Sequence, residues 1–151
     1  MLPIEIRPAR TRRERKTFVK CAWRFNDGDP CWVPPLISDT MNFIDPGRGP
    51  FFEHGEAALF MAYRGSRPVG RISAHVNRLH DERHGPGTGF VGFFECEDDP
   101  TTAAALFDEA AGWLRARART TVLGPLSFGI YDEIGVLVDG FDTPPFVLTP
   151  H

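Results

Sequence analysis

Asp132 and Glu133 stand side by side among Ile130, Tyr131 and Ile134. Two carboxyls in apolar company repel each other and lose solvation, and both effects raise a pKa toward the range in which a carboxylate trades protons near neutral pH. A hairpin turn carrying two solvated acids would use the same residues. His54 closes Phe51-Phe-Glu-His54, and its imidazole titrates in the useful range, although a histidine among aromatics also serves as a structural hydrogen bonder. Glu95 ends an aromatic run and opens the acidic stretch Glu95-Cys-Glu-Asp-Asp99. It reads either as a proton acceptor, directly or through water, or as an acid that caps the next helix or pairs with an arginine. His80 and His84 are four residues apart with His75 nearby, the spacing of a metal-binding helix. The adjoining Gly85-Pro-Gly87 marks a surface loop instead, and no metal site is expected.

The elements that must place these groups follow from capping and periodicity. Ile4-Glu-Ile6 predicts a short strand. Thr11-Arg-Arg-Glu14 matches a capping box and opens a helix to about Phe25, with Phe18, Cys21, Ala22 and Phe25 on one apolar stripe. Residues 30–55, rich in proline, glycine and aromatics, predict an ordered connection packed on the core. A hairpin of strands Ala57–Tyr63 and Pro68–Val76 turns at Gly65-Ser66. Asn77–Thr88 reads as a polar loop and Gly89–Cys96 as a third core strand. Asp99 and Pro100 start a helix that runs to about Arg117 and buries Ala103, Leu106, Phe107, Ala110, Trp113 and Leu114. Thr121–Phe128 predicts another strand, and Ile134–Val138 and Phe146–Leu148 are apolar segments in need of partners. The result is an α/β sandwich with a mixed sheet.

At 151 residues, 42% hydrophobic and 25% charged, the chain is expected to form one folded domain. Three scattered cysteines, and a start with no basic-then-apolar leader, lead us to expect reduced thiols in a cytoplasmic protein. The net charge of −3 hides an asymmetry. Residues 7–24 carry eight basic side chains against Glu14 alone, and residues 95–142 carry ten acids against Arg115, Arg117 and Arg119. A net-acidic domain with one short basic stretch is not expected to bind nucleic acid. The basic face of the helix at 11–25 (Arg12, Arg13, Arg15, Lys16) suits either a peripheral contact with an anionic membrane or attraction to the acidic half of the chain.

The order of elements resembles the GNAT fold of acyl-CoA N-acyltransferases. Five stretches are similar to a bacterial GNAT-like family that includes ceramide synthases: Asp29-Pro-Cys-Trp-Val-Pro-Pro35, Pro50-Phe-Phe-Glu-His54, Pro68-Val-Gly-Arg-Ile72, Gly92-Phe-Phe-Glu95 and Leu137-Val-Asp-Gly-Phe141. The resemblance implies a mixed, mostly antiparallel sheet with flanking helices. It also implies transfer of an acyl group from acyl-CoA or acetyl-CoA, a co-substrate and not a resident cofactor, to an amine, such as that of a sphingoid-type lipid. The thioester would lie along Phe93, Phe94 and Cys96 with Thr101 at the helix start, and Glu95, Asp132, Glu133 and His54 would be the candidates for proton transfer. The alternatives are a non-catalytic GNAT-like module that binds a ligand or partner through the same crevice and the exposed sheet edges, or an inactive truncated form.

Two departures from the family pattern carry their own expectations. Where such folds place a glycine-rich loop for the CoA pyrophosphate, this chain has Glu95-Cys-Glu-Asp-Asp-Pro-Thr101. Its carboxylates are expected to repel a pyrophosphate or to occupy the helix end themselves. Family members also continue well past Thr149-Pro-His151. The chain therefore reads as the N-terminal part of the fold, lacking its last helix and strands, with open sheet edges for self-association or another chain.

Overall fold

A computed structural model describes residues 2–145. Its centre is a five-stranded sheet in which sequence order is also spatial order: β1 (Ile4–Pro8), β2 (Gly55–Arg64), β3 (Arg67–Asn77), β4 (Thr88–Cys96) and β5 (Thr121–Leu123). The first four pair antiparallel, whereas β5 lies parallel to β4. Among the described residues β1 and β5 form the two sheet edges.

Alternation along β2 divides the core. Leu59 and Met61 face α1 (Arg12–Asn26), α2 (Ile37–Phe43) and a 3₁₀ turn at Pro50–Glu53, packing with Phe18, Val19, Ile44, Phe51, Phe93 and Phe128. Phe60 and Ala62 face α4 (Pro100–Arg115) and pack with Ile72, Val91, Leu106, Ala110 and Leu114. The capping box forms as written: Glu14 N–H donates to Thr11 Oγ1 at 3.2 Å, and Thr11 N–H donates to the Glu14 carboxylate at 2.7 Å.

Several expectations need correction. The polar stretch after Asn77 is a short helix, α3 (Arg78–His84). Asn77 Oδ1 starts it by accepting from Leu79 and His80 N–H, a cap that the absence of an apolar stripe had hidden. The connection at 30–55 contains α2 and the 3₁₀ turn. Helix α4 stops at Arg115, and Phe107 is 40% exposed, not core. The strand expected at 121–128 ends at Leu123, because Gly124 has φ +152° and Pro125 has no N–H for a ladder. Ile134–Val138 forms no strand. Ile134 bridges Leu126, and Val136 and Val138 are exposed. The segment Phe146–Leu148 lies outside the described residues.

Candidate active site

The site begins with a defect in the ladder. Strands β3 and β4 stay in register from Gly70–Cys96 to Arg71–Glu95, then resume at Ser73–Gly92, so β4 holds one extra residue. Phe93 sits at this bulge with φ +47°, and the strand bends there. On its other side β4 pairs with β5 only from Thr88 to Phe90. Leu126 N–H still donates to Val91 O at 2.8 Å, and Phe93 N–H donates to Ser127 Oγ at 3.2 Å. Beyond that point the two chains separate. Gly92 permits the close approach, since a Cβ there would meet Leu126 O at 2.0 Å.

The chain from Pro125 folds back on itself as a hairpin-like loop. Ser127 N–H donates to Glu133 O, and Gly135 N–H donates to Pro125 O, each at 2.8 Å. This loop carries Asp132 and Glu133 to the gap, so the acid pair lies in a turn and lines a cavity at once. The gap has two branches. The larger, of about 360 Å³, runs between the end of α1, the 29–35 connection, β4 beyond its bulge, and residues 125–145; Phe25, Trp32, Phe94, Leu137 and Phe141 make it largely apolar. The smaller, of about 350 Å³, reaches α2 and is walled by Thr40, Phe43 and the carboxylates Asp39, Asp132 and Glu133. Pro35, Arg71, Phe93, Ser127 and Glu133 line both branches and form their junction.

Arg71 is 6% exposed on β3. Its guanidinium meets Glu95 Oε2 through Nε at 2.8 Å and a terminal nitrogen at 2.7 Å, and it donates to Phe18 O at 3.0 Å. Asn26, in the last turn of α1, donates to the other oxygen of Glu95 at 2.8 Å. Both oxygens of Glu95 are therefore engaged, and its charge is matched. Glu133 differs. The residue is exposed on its loop, yet its carboxyl reaches the junction, where loss of solvation raises its pKa; the Arg71 charge and the Ser127 hydroxyl, 3.4 Å away, offset only part of the rise, while Glu95 and Asp132 add to it. Burial also raises the pKa of Asp132. Ser127, 4% exposed, sits between the bulge amide and Glu133.

Of the residues singled out by sequence, Phe93, Phe94, Glu95, Cys96 and Glu133 line the larger branch, and Asp132 lines the smaller. Burial and the neighbouring acids Glu97, Asp99 and Asp98 raise the pKa of Cys96, so its thiol stays protonated. Two residues are not brought to the cleft. His54 ends the 3₁₀ turn against the Phe51 ring, and its carbonyl accepts from Arg78 N–H; this is its structural alternative. Thr101 is exposed in the first turn of α4 with its N–H taken by Asp99 Oδ1 at 3.0 Å. The three histidines also separate. His75 is fully buried among Phe51, Phe90 and Phe128, where burial lowers its pKa to about 3, while the rings of His80 and His84 meet at a tilt on α3. Among the described residues no group of three possible metal ligands forms.

Sequence reasoning passed over Arg71, Asn26 and Ser127. In Pro68-Val-Gly-Arg-Ile72 the alternation could have placed Arg71 on the side opposite Gly70 and Ile72, but its burial depends on Glu95 across the ladder.

No family model matches the chain. Over 98% of its length it is 43% identical to the bacterial ceramide synthase of Caulobacter vibrioides (strain NA1000 / CB15N), and over 97% it is 34% identical to protein YghO of Escherichia coli (strain K12). It spans 39% and 37% of those proteins, well under half the length of each. Among solved structures, a predicted acetyltransferase from Clostridium acetobutylicum with acetyl-CoA superposes with a TM-score of 0.57 at 8% identity, over 80% of this chain and 79% of that one. At that identity the likeness shows the fold: a mixed α/β, mostly antiparallel GNAT sheet with flanking helices.

Proposed function

We propose that this chain, which belongs to the GNAT-fold, bacterial ceramide synthase-like family, forms the cleft of an N-acyltransferase that moves an acyl group from an acyl-CoA-type thioester to an amine. The observation that carries this reading is the junction: two branches, one apolar and one lined by carboxylates, meet at a carboxyl whose pKa burial has raised.

The apolar branch suits an acyl chain and its pantetheine arm, and the acidic branch suits an ammonium. Ionised Glu133 takes a proton from the ammonium, and the freed nitrogen attacks the thioester carbonyl. The Ser127 hydroxyl, at the junction, is placed to donate to the oxyanion. As the C–S bond breaks, the nitrogen gives up its second proton to water and the thiolate leaves, taking up the proton held by Glu133. The sum is amide, thiol and one released proton. A raised pKa suits Glu133 to both halves of this exchange. Glu95, held by Arg71 and Asn26, positions the wall of the cleft; the proton passes through Glu133.

The amine is a long-chain lipid amine of sphingoid type, in keeping with the name of the Caulobacter relative, a bacterial ceramide synthase, and with the apolar aromatics at the cleft. Arg12, Arg13 and Lys16 are exposed on α1 for contact with an anionic surface. Arg15 turns inward instead, to Asp45 at 3.2 Å. No helix among the described residues is long and apolar enough to cross a membrane.

The test is incubation of the protein with octanoyl-CoA and a long-chain amine, with the amide measured by mass spectrometry. Amide formation that falls at least a hundredfold in Glu133→Gln is the expected result. A well-folded protein that binds both compounds and makes no amide would instead support the binding-module reading, which the full engagement of Glu95 favours.

A further inference from the structure

In a nucleotide-binding helix start, free backbone N–H groups and the helix dipole meet a phosphate. At the start of α4 a carboxylate already occupies that place. Asp99 caps it, taking Thr101 N–H with Oδ1. Behind the cap, Arg64 donates to Glu97 Oε1 at 2.7 Å and also pairs with Asp99, Arg67 donates to Glu97 Oε2 at 2.8 Å, and the Thr102 hydroxyl donates to both acids. Arg64 is taken by side chains of this loop and the half-exposed Arg67 by one contact with Glu97, and exposed Asp98 adds a further negative charge. Along the larger branch Arg71 is the cation among the described lining residues, and it is held by Glu95 and Phe18 O against the acids Asp29, Glu95 and Glu133. A pyrophosphate or a ribose phosphate entering here meets net negative charge with the usual donors already taken.

We infer that the donor is recognised by its acyl chain and pantetheine arm alone, the α4 start being closed to the nucleotide by its own Arg64–Glu97–Asp99 network. The donor class is thus an acyl-pantetheine thioester, whatever group its phosphate end carries. This rests on the thioester reading above.

The test is titration of the protein with octanoyl-pantetheine and with octanoyl-CoA, followed by Trp fluorescence, since Trp32 lines the branch, with free CoA and 3′,5′-ADP as competitors. The two thioesters are expected to bind with dissociation constants within threefold of each other, neither weakened by millimolar ADP. Octanoyl-CoA binding more than threefold tighter than octanoyl-pantetheine, or displaced by ADP, would overturn the inference and leave the transferase reading standing. Binding of neither thioester would overturn both.

Discussion

Arg71 shows how much one side chain can hold in place. Its guanidinium ties β3 to β4 through Glu95 and to α1 through Phe18 O. Removing it strands a half-buried carboxylate and an unpaired carbonyl, whereas removing both charges strands neither carboxylate nor cation. Arg71→Met should therefore lower stability by about 3 kcal/mol in urea unfolding, and Arg71→Met with Glu95→Leu should recover much of that loss. A single variant as stable as the native chain would contradict the pairing. Glu133 supplies the pH dependence. Its folded pKa is raised, so between the ordinary glutamate range and that higher value the folded state holds a proton that the unfolded chain has released. Stability consequently falls as pH rises through this window. Glu133→Gln has no such proton, so its unfolding midpoint should gain on the native chain as pH rises above the ordinary glutamate range; a constant difference would refute the raised pKa. The acid pair was legible in the sequence because charge beside Ile130, Tyr131 and Ile134 is local information. The capture of Glu95 by Arg71 was not, since those residues are 24 apart and meet only through the register of the ladder.

Elements with a cap or a stripe could be read in advance. The Thr11 capping box, the Asp99-Pro100 start and the alternation of β2 and β3 each state their structure within a few residues. The elements that escaped lack an apolar stripe: α3 has an Asn77 cap but no buried residue at all, and α2 lies within a proline-rich connection. The bulge in β4 escaped for another reason. Nothing in Gly92-Phe-Phe-Glu95 fixes which residue is the extra one; the choice is made by Arg71 demanding Glu95 and by Leu126 closing on Gly92. Gly92→Ala tests that account. The new methyl would strike Leu126 O and Ser127 Cα, so the 125–128 segment must move or strain. A loss of about 1–3 kcal/mol in stability is expected, together with at least tenfold weaker octanoyl-thioester binding. Native binding in this variant would mean that the loop position does not shape the cleft.

At the scale of the molecule, no ion pair among the described residues joins the basic first helix to the acidic second half: Arg15 turns to Asp45, Arg12, Arg13 and Lys16 stay outward, and Glu95 is held instead by Asn26 and by Arg71 of β3. The fold class was legible from the order of strands and helices, and the resemblance implied a slot between the strands near Phe93 and Leu123; what was not legible is the 125–141 loop that lines it, because β5 ends at Leu123. The second lip carries apolar side chains to solvent, with Tyr131 and Val138 each about 80% exposed. Patches of this kind mark surfaces that meet another molecule, and with the β5 edge they keep the proposal of self-association or of a covering segment open to sedimentation analysis. The central claim is that an acyl thioester enters where β4 and the chain after Leu123 separate. Hydrogen exchange measured with and without octanoyl-pantetheine tests it most directly. Protection concentrated in residues 29–35, 93–96 and 125–141, with α3 and β1 unchanged, is the expected pattern. Protection confined to other elements, or none at a saturating concentration, would contradict it.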